Sequence, residues 1–361
     1  MATDKSSERL AAIDVLRGFD LFFLVGAGDV LRSFFGAFHS DSLSPVMYQL
    51  EHHWLGFTAW DIIMPLFLFT SGLSMPFSFG KYLGTGHHKG QLYGRVLKRF
   101  CLLFLLGWIA QGNLLDLNLN TFQVYCNTLH AIAFGYLITA VIVLNVPKLK
   151  FQLTAGAALV LSYWALLTFV GDVHSETGNI AAIVDKAVLG RFDDGGYYTW
   201  LLSSLGFGAS VISGYFAGLI LKQPGAPEQK LKTLSIAGAA LVAGGLLWTL
   251  QMPMNKPIWS PSMILLSSGL CFLLLALSFL LTDKMRLTGW WVTGLRVLGL
   301  NSIAAYMLYE SFNLKSVSHA LLHGFEQYTG DFYPALAAAG AFAILWLILL
   351  FMHKYKIYLK V

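Results

Sequence analysis

The chain has 361 residues, of which 56% are hydrophobic and only 12% charged, with a formal net charge of +5. A soluble domain carries roughly a quarter charged residues, so this composition excludes a water-facing enzyme and indicates an all-α integral membrane protein. The three cysteines, Cys101, Cys126 and Cys271, are widely spaced with no CxxC pair, so neither disulfides nor a metal site is expected.

Ten apolar stretches, each long enough to cross about 30 Å of hydrocarbon, follow one another at 12–37, 55–78, 95–114, 123–144, 149–170, 198–221, 233–250, 261–282, 294–312 and 332–353. With both termini in the cytoplasm, this count places nineteen of the 24 Lys and Arg residues on the inner side, among them Lys5, Arg9, Lys81 and Lys360. Only Arg32, Lys186, Arg191, Lys256 and Lys315 stay outside. Dropping one span would invert every later loop and destroy the asymmetry. The charge therefore reports topology and implies no nucleic-acid partner. Met1 to Arg9 is polar and the first apolar stretch holds Asp14, Arg17 and Asp20. A cleavable leader is not expected, and residues 1–361 read as a single membrane domain.

Ionisable groups inside spans are costly and are functional candidates. In span 1, Asp14, Arg17 and Asp20 stand at i, i+3 spacing. They form either a neutralising cluster or, through Arg17, a contact to a phosphate-bearing ligand. Span 2 opens with His52, His53 and Trp54, followed by Asp61 and Pro65. Histidines at a helix mouth serve as bases or nucleophiles near neutral pH. A helix would carry Asp61 about 12–14 Å further in, and Pro65 would bend that helix by leaving the Asp61 carbonyl without a donor. Span 4 begins with Asn127 and His130, polar groups that also suit interhelical hydrogen bonds. In span 9, Ser302, Tyr306 and Tyr309 share a face, with Asn301 towards the inner side and Glu310 towards the outer. This polar stripe suits the wall of a pathway, while the small residues beside it also suit close packing. The outer turn 255–262 carries Lys256, Trp259 and Ser262; a tryptophan beside hydrogen-bonding groups suits either an interface or a sugar ring. GxSxG, HExxH, Walker and dinucleotide motifs are missing from the sequence.

Four blocks, Arg9 to Gly18, His52 to Gly72, Asn255 to Ser262 and Gly299 to Glu310, resemble the heparan-α-glucosaminide N-acetyltransferase family and its bacterial relatives. A weaker fifth runs from Asp193 to Gly218. The second block is the most specific, keeping Trp54, Gly56, Asp61 and Pro65 of a His-x-x-Trp-x-Gly-x-x-x-x-Asp-x-x-x-Pro pattern. It departs at the histidine, where Glu51 stands and His52 and His53 follow. Gly28 also stands where the animal enzymes carry an asparagine, with Asp29 adjacent as a substitute.

The resemblance implies transfer of acetyl from cytosolic acetyl-CoA to an amino sugar on the outer side, with no metal. It implies His52 or His53 as base or acetyl carrier, with Asp61 orienting it. Arg17, Arg95, Lys98 and Arg99 would meet the CoA phosphates, and Asn127, Asn301 and Ser302 the acyl and pantetheine groups. Lys256, Trp259, Ser262, Tyr306 and Glu310 would hold the sugar. It further implies residence in a bacterial inner (cytoplasmic) membrane, contact with lipid, and compatibility with a homodimer. Two rival readings share these residues: a sugar permease, and an O-acyltransferase acting on envelope glycans.

Overall fold

The computed structural model describes residues 10–84, 88–112, 114 and 117–359. Lys5, Arg9 and Lys360 of the expected inner-side cations, with the first residue of the Arg9–Gly18 block and the Lys81 side chain, lie outside them. Among the described residues there is no β-strand. The helices are α1 (Ala11–Phe22), α2 (Gly28–Gly36), α3 (Ser44–Gln49), α4 (Ile63–Leu73), α5 (Met75–Gly84), α6 (Lys89–Gln111), α7 (Thr128–Asn145) and α8 (Leu149–Phe169). Then come α9 (Ile180–Leu189), α10 (Ser203–Lys222), α11 (Pro227–Trp248), α12 (Pro261–Phe279), α13 (Trp290–Leu300), α14 (Ser302–Ser311), α15 (Leu314–Leu322), α16 (Glu326–Thr329) and α17 (Tyr333–Lys354).

Among the described residues, seven helical segments are long and apolar enough to cross a membrane, which makes the chain a multi-pass integral membrane protein. The expected ten stretches exceed that number for a physical reason. The continuous helix of α1, the π turn Phe23–Ala27 and α2 carries Asp14, Arg17, Asp20, Asp29 and Arg32. Helix α6 carries Lys89, Arg95, Lys98 and Arg99. The stretch 294–312 is broken at Asn301, which leaves two short helices, α13 and α14.

Helix starts follow local chemistry. Asn127 caps α7 by accepting from the Leu129 and His130 amides. Proline occupies the first turn of α11, α12 and α17, where its missing N–H costs nothing. Close helix contact relies on glycine, as lipid-solvated helices associate through packing rather than hydrophobic exclusion. A methyl group on Gly214 of α10 would collide with the Phe69 carbonyl of α4, and one on Gly72 with the Val211 carbonyl of α10. Gly18 of α1 meets the Leu295 carbonyl of α13 in the same way. These contacts draw α1, α4, α10 and α13 together at the centre of the molecule.

Asp20 is buried and neither carboxyl oxygen has a hydrogen-bond partner. Arg17 donates to the Thr70 carbonyl of α4 at 3.1 Å.

Candidate active site

The segment 51–58 is a loop, not the start of a helix, and this corrects the expected helical spacing of the histidines and Asp61. Gly56 takes φ +107°, a conformation open to glycine, and its amide donates to the Met254 carbonyl at 2.9 Å. The chain then turns into a short 3₁₀ segment, Ala59–Ile62, capped reciprocally by Thr58 and Asp61. Asp61 Oδ2 accepts from the Thr58 amide at 2.8 Å and the Thr58 hydroxyl at 3.0 Å. Pro65 falls in the first turn of α4, where it takes no hydrogen bond away and makes no mid-span bend.

This fold-back lays His52 on Asp61. Their Nδ1 and Oδ1 atoms are 2.6 Å apart. Lys256 reaches the pair from the 253–260 loop, with Nζ 3.1 Å from each ring nitrogen of His52 and 3.4 Å from Asp61 Oδ1. Asn255 makes that loop rigid: its amide donates to Ser260 Oγ at 3.0 Å and its side-chain oxygen accepts from the Ile258 amide at 3.1 Å. Asp61 and Lys256 are buried, while the His52 side chain keeps 32% exposure. Burial first, and the Lys256 ammonium second, hold His52 below the ordinary imidazole range against the opposing pull of Asp61. Burial lowers Lys256 to about 8. With Asp61 accepting the Nδ1 proton, Nε2 is the basic nitrogen of His52.

His53 goes elsewhere. Its ring stacks on Tyr48 at 3.9 Å between centroids, and its Nε2 lies 3.3 Å from the Tyr48 carbonyl.

His52 and Lys256 open on a cavity of about 310 Å³, whose walls include Asn127, Asp194, Tyr198, Trp200, Tyr306 and Glu310. A second cavity of about 250 Å³ is lined by Arg17, Arg99, Ser71, Ser74 and Ser302. Phe67, Thr128 and Tyr306 line both, so the two abut. In the Arg-lined cavity, Arg99 lies over the Tyr136 ring at 4.2 Å, and its buried Nε has no hydrogen-bond partner. That orphaned donor beside Arg17 suits an anionic ligand.

Other expected residues sit apart. Arg95 and Lys98 are exposed on α6 and do not line the Arg-lined cavity. Asn127 spends its oxygen on the α7 cap and its amide on the Gly107 carbonyl at 2.8 Å. Asn301 is buried and clamps the C-terminal segment, donating to the Ile357 carbonyl and accepting from the Leu359 amide. Trp259 is 1% exposed, with its indole N–H on Ser210 Oγ at 3.1 Å, so it is a core residue with no face for a sugar. Ser262 is likewise buried, bonded to the Pro253 carbonyl. Gly28 lies where any side chain would strike the Trp60 ring. Asp29, beside it, is bonded to Arg32, Lys315 and Tyr309.

Sequence reading missed Thr58 and Asp194. Thr58 is the partner that a capping box demands three residues before Asp61. Asp194 stands in the weak Asp193–Gly218 block with no role assigned from sequence, and its carboxylate accepts from the Trp200 indole at 2.8 Å.

The fold and the paired cavities define a membrane protein with a buried carboxylate–histidine–lysine centre facing an arginine-lined chamber. Residues 9–181 match the family model described as heparan-alpha-glucosaminide N-acetyltransferase, catalytic. Over that segment the chain is similar to the heparan-alpha-glucosaminide N-acetyltransferase family, a match that supports membership of that family. No curated protein matches the chain. The matched segment supplies Arg17, His52, Asp61 and Arg99, while Lys256, Tyr306 and Glu310 come from beyond it.

Proposed function

We propose that the chain transfers acetyl from acetyl-CoA, held on the cytoplasmic side, to the amine of an amino sugar on the outer side, in a ten-span domain of a bacterial inner membrane with both ends inside. The observation that carries this reading is the pair of abutting cavities, one lined by two arginines and the other by His52, Lys256 and Glu310. A phosphate-bearing donor needs the first and an amine acceptor the second. Arg17 and Arg99 hold the CoA phosphates, and the acetyl thioester reaches the collar of Phe67, Thr128 and Tyr306.

Asp61 fixes the His52 tautomer; the acceptor ammonium first gives one proton to solvent, and Nε2 takes the second from the amine nitrogen as it attacks. The amine nitrogen then forms a bond to the thioester carbonyl carbon, the C–S bond breaks, and the CoA sulfur leaves with the electron pair. His52 returns the proton to that sulfur. Direct attack needs no acetyl-histidine, and the exposed edge of His52 is positioned for either route. Lys256 stands beside the ring as a fixed cation, stabilising the oxyanion that forms at the carbonyl. Glu310 attracts the acceptor ammonium.

The test is purified protein in lipid nanodiscs with acetyl-CoA and a panel of amino sugars, following release of the CoA thiol and of acetylated product. Thiol release dependent on the amine supports the reading. Thiol release with hydroxyl-only sugars would favour O-acyl transfer, and sugar flux into liposomes without CoA would favour a permease.

A further inference from the structure

Another cavity, of about 430 Å³, lies between the α1–α2 helix, α14 and the first half of α17. One end is polar, with Asp29, Glu310, Asn313 and Lys315; the other is apolar, with Val25, Ala338, Ala341 and Leu345. The change takes one helical turn from Asp29 to Val25. Along α17 the apolar wall runs from Ala338 to Leu345, about 10 Å of helix axis. The π turn Phe23–Ala27 divides neighbouring residues between two cavities: Leu24 lines the one at His52, while Val25 and Gly26 line this one.

The polar end is already built. Asp29 accepts from Arg32 at 2.8 Å, from Lys315 at 2.8 Å and from the Tyr309 hydroxyl at 3.0 Å. Glu310 is different. It is exposed, it lines both this cavity and the one at His52, and among the described residues it has neither a hydrogen bond nor an ion pair. A carboxylate shared by two cavities and provided with no cation of its own suits a cation brought by a ligand.

We propose that this cavity receives the tail of an amphiphilic acceptor, an amino sugar joined to an alkyl or acyl chain, with its ammonium at Glu310 and its chain against Val25, Ala338, Ala341 and Leu345. The inference rests on the transferase reading above and names its acceptor class. A wholly polar sugar would fill the Asp29–Lys315 end and leave the apolar end without a partner. A chain-bearing one covers both ends and presents its amine at the wall shared with His52.

The experiment compares glucosamine with octyl β-glucosaminide, below its micellar concentration, as acceptors for the full chain in lipid nanodiscs at saturating acetyl-CoA. The expected kcat/KM favours the octyl compound, by about tenfold for every two methylenes the cavity covers. Ala341→Phe, which fills the apolar end, should cut that preference several-fold. Ala338→Leu gives a milder filling should the first variant fail to fold. Equal kcat/KM for the two acceptors in the wild type overturns the proposal. So does an octyl preference that survives both folded variants, since partition into the bilayer would then account for it. Transfer to neither compound overturns the transferase reading, and this inference with it.

Discussion

The two cavities that meet at Phe67, Thr128 and Tyr306 are built in opposite ways. At the His52 end the polar groups are interlocked: Asp61 takes Thr58 on one oxygen and His52 on the other, and Lys256 sits over both. At the Arg17 end Arg99 is held only by the face of Tyr136, with its Nε left bare. A group that must take a proton at a fixed atom gains from orientation before the substrate arrives. A group that only neutralises phosphate can leave its hydrogen bonds for the ligand to complete. Mutations should therefore act on different kinetic parameters at the two ends.

The largest separation is expected within the adjacent histidine pair. His52→Ala should lower kcat by roughly 10²–10⁴, the usual contribution of a positioned acid–base group. His53→Ala, which removes a ring stacked on Tyr48 and its contact to the Tyr48 carbonyl, should change kcat by less than about twofold. Steady-state rates of acetyl transfer decide this, and comparable losses in the two variants would show that the fold-back onto Asp61 does not select the base. At the other end, Arg99→Ala should raise KM for acetyl-CoA by roughly 10–100-fold, in line with one or two charge-assisted hydrogen bonds. Its kcat should hold, as expected for a contact made equally in ground and transition states. A fall in kcat with KM intact would place Arg99 at the chemistry instead.

Gly214→Ala tests both ends together. The added methyl meets the Phe69 carbonyl on α4, two residues from the Phe67 that lines both cavities. Overpacking of this kind costs about 1–3 kcal/mol, to be read as a lower thermal midpoint in nanodiscs. KM for acetyl-CoA and kcat should worsen in step. A change in one alone would mean that the α4 wall serves a single cavity.

The sequence made the helical membrane class plain, because apolar stretches of span length need no tertiary context to recognise. It also offered His52, Asp61, Lys256 and Glu310 as polar groups in costly places. What it concealed was direction. A helical spacing put Asp61 well beyond the histidines, whereas Gly56 and the Thr58 cap return the chain so that His52 and Asp61 touch. Trp259 and Ser262 looked like a sugar platform because residues of that outer turn are polar in sequence. The turn is internally bonded, and of these three residues it offers only Lys256 to the cavity at His52. Contacts between residues two hundred positions apart, such as His52 with Lys256, leave no local pattern to read.

The smallest expected effect is also the most specific to that contact. His52 serves as a base only when neutral, so the acidic limb of kcat/KM follows its protonation. Burial and the Lys256 cation both lower its pKa, and Asp61 raises it. The wild-type limb should therefore lie below the ordinary histidine range. Removing the cation in Lys256→Met takes away one of the lowering influences, leaving burial and the weaker effect of Arg32 against the pull of Asp61, so the limb should move to higher pH. The same variant should lose any inflection near pH 8, where Lys256 itself gives up its proton. Profiles of kcat/KM from pH 5 to 9 in both proteins measure this. A limb that stays put, or moves to lower pH, would mean that Lys256 serves the oxyanion alone and does not bias the protonation of His52.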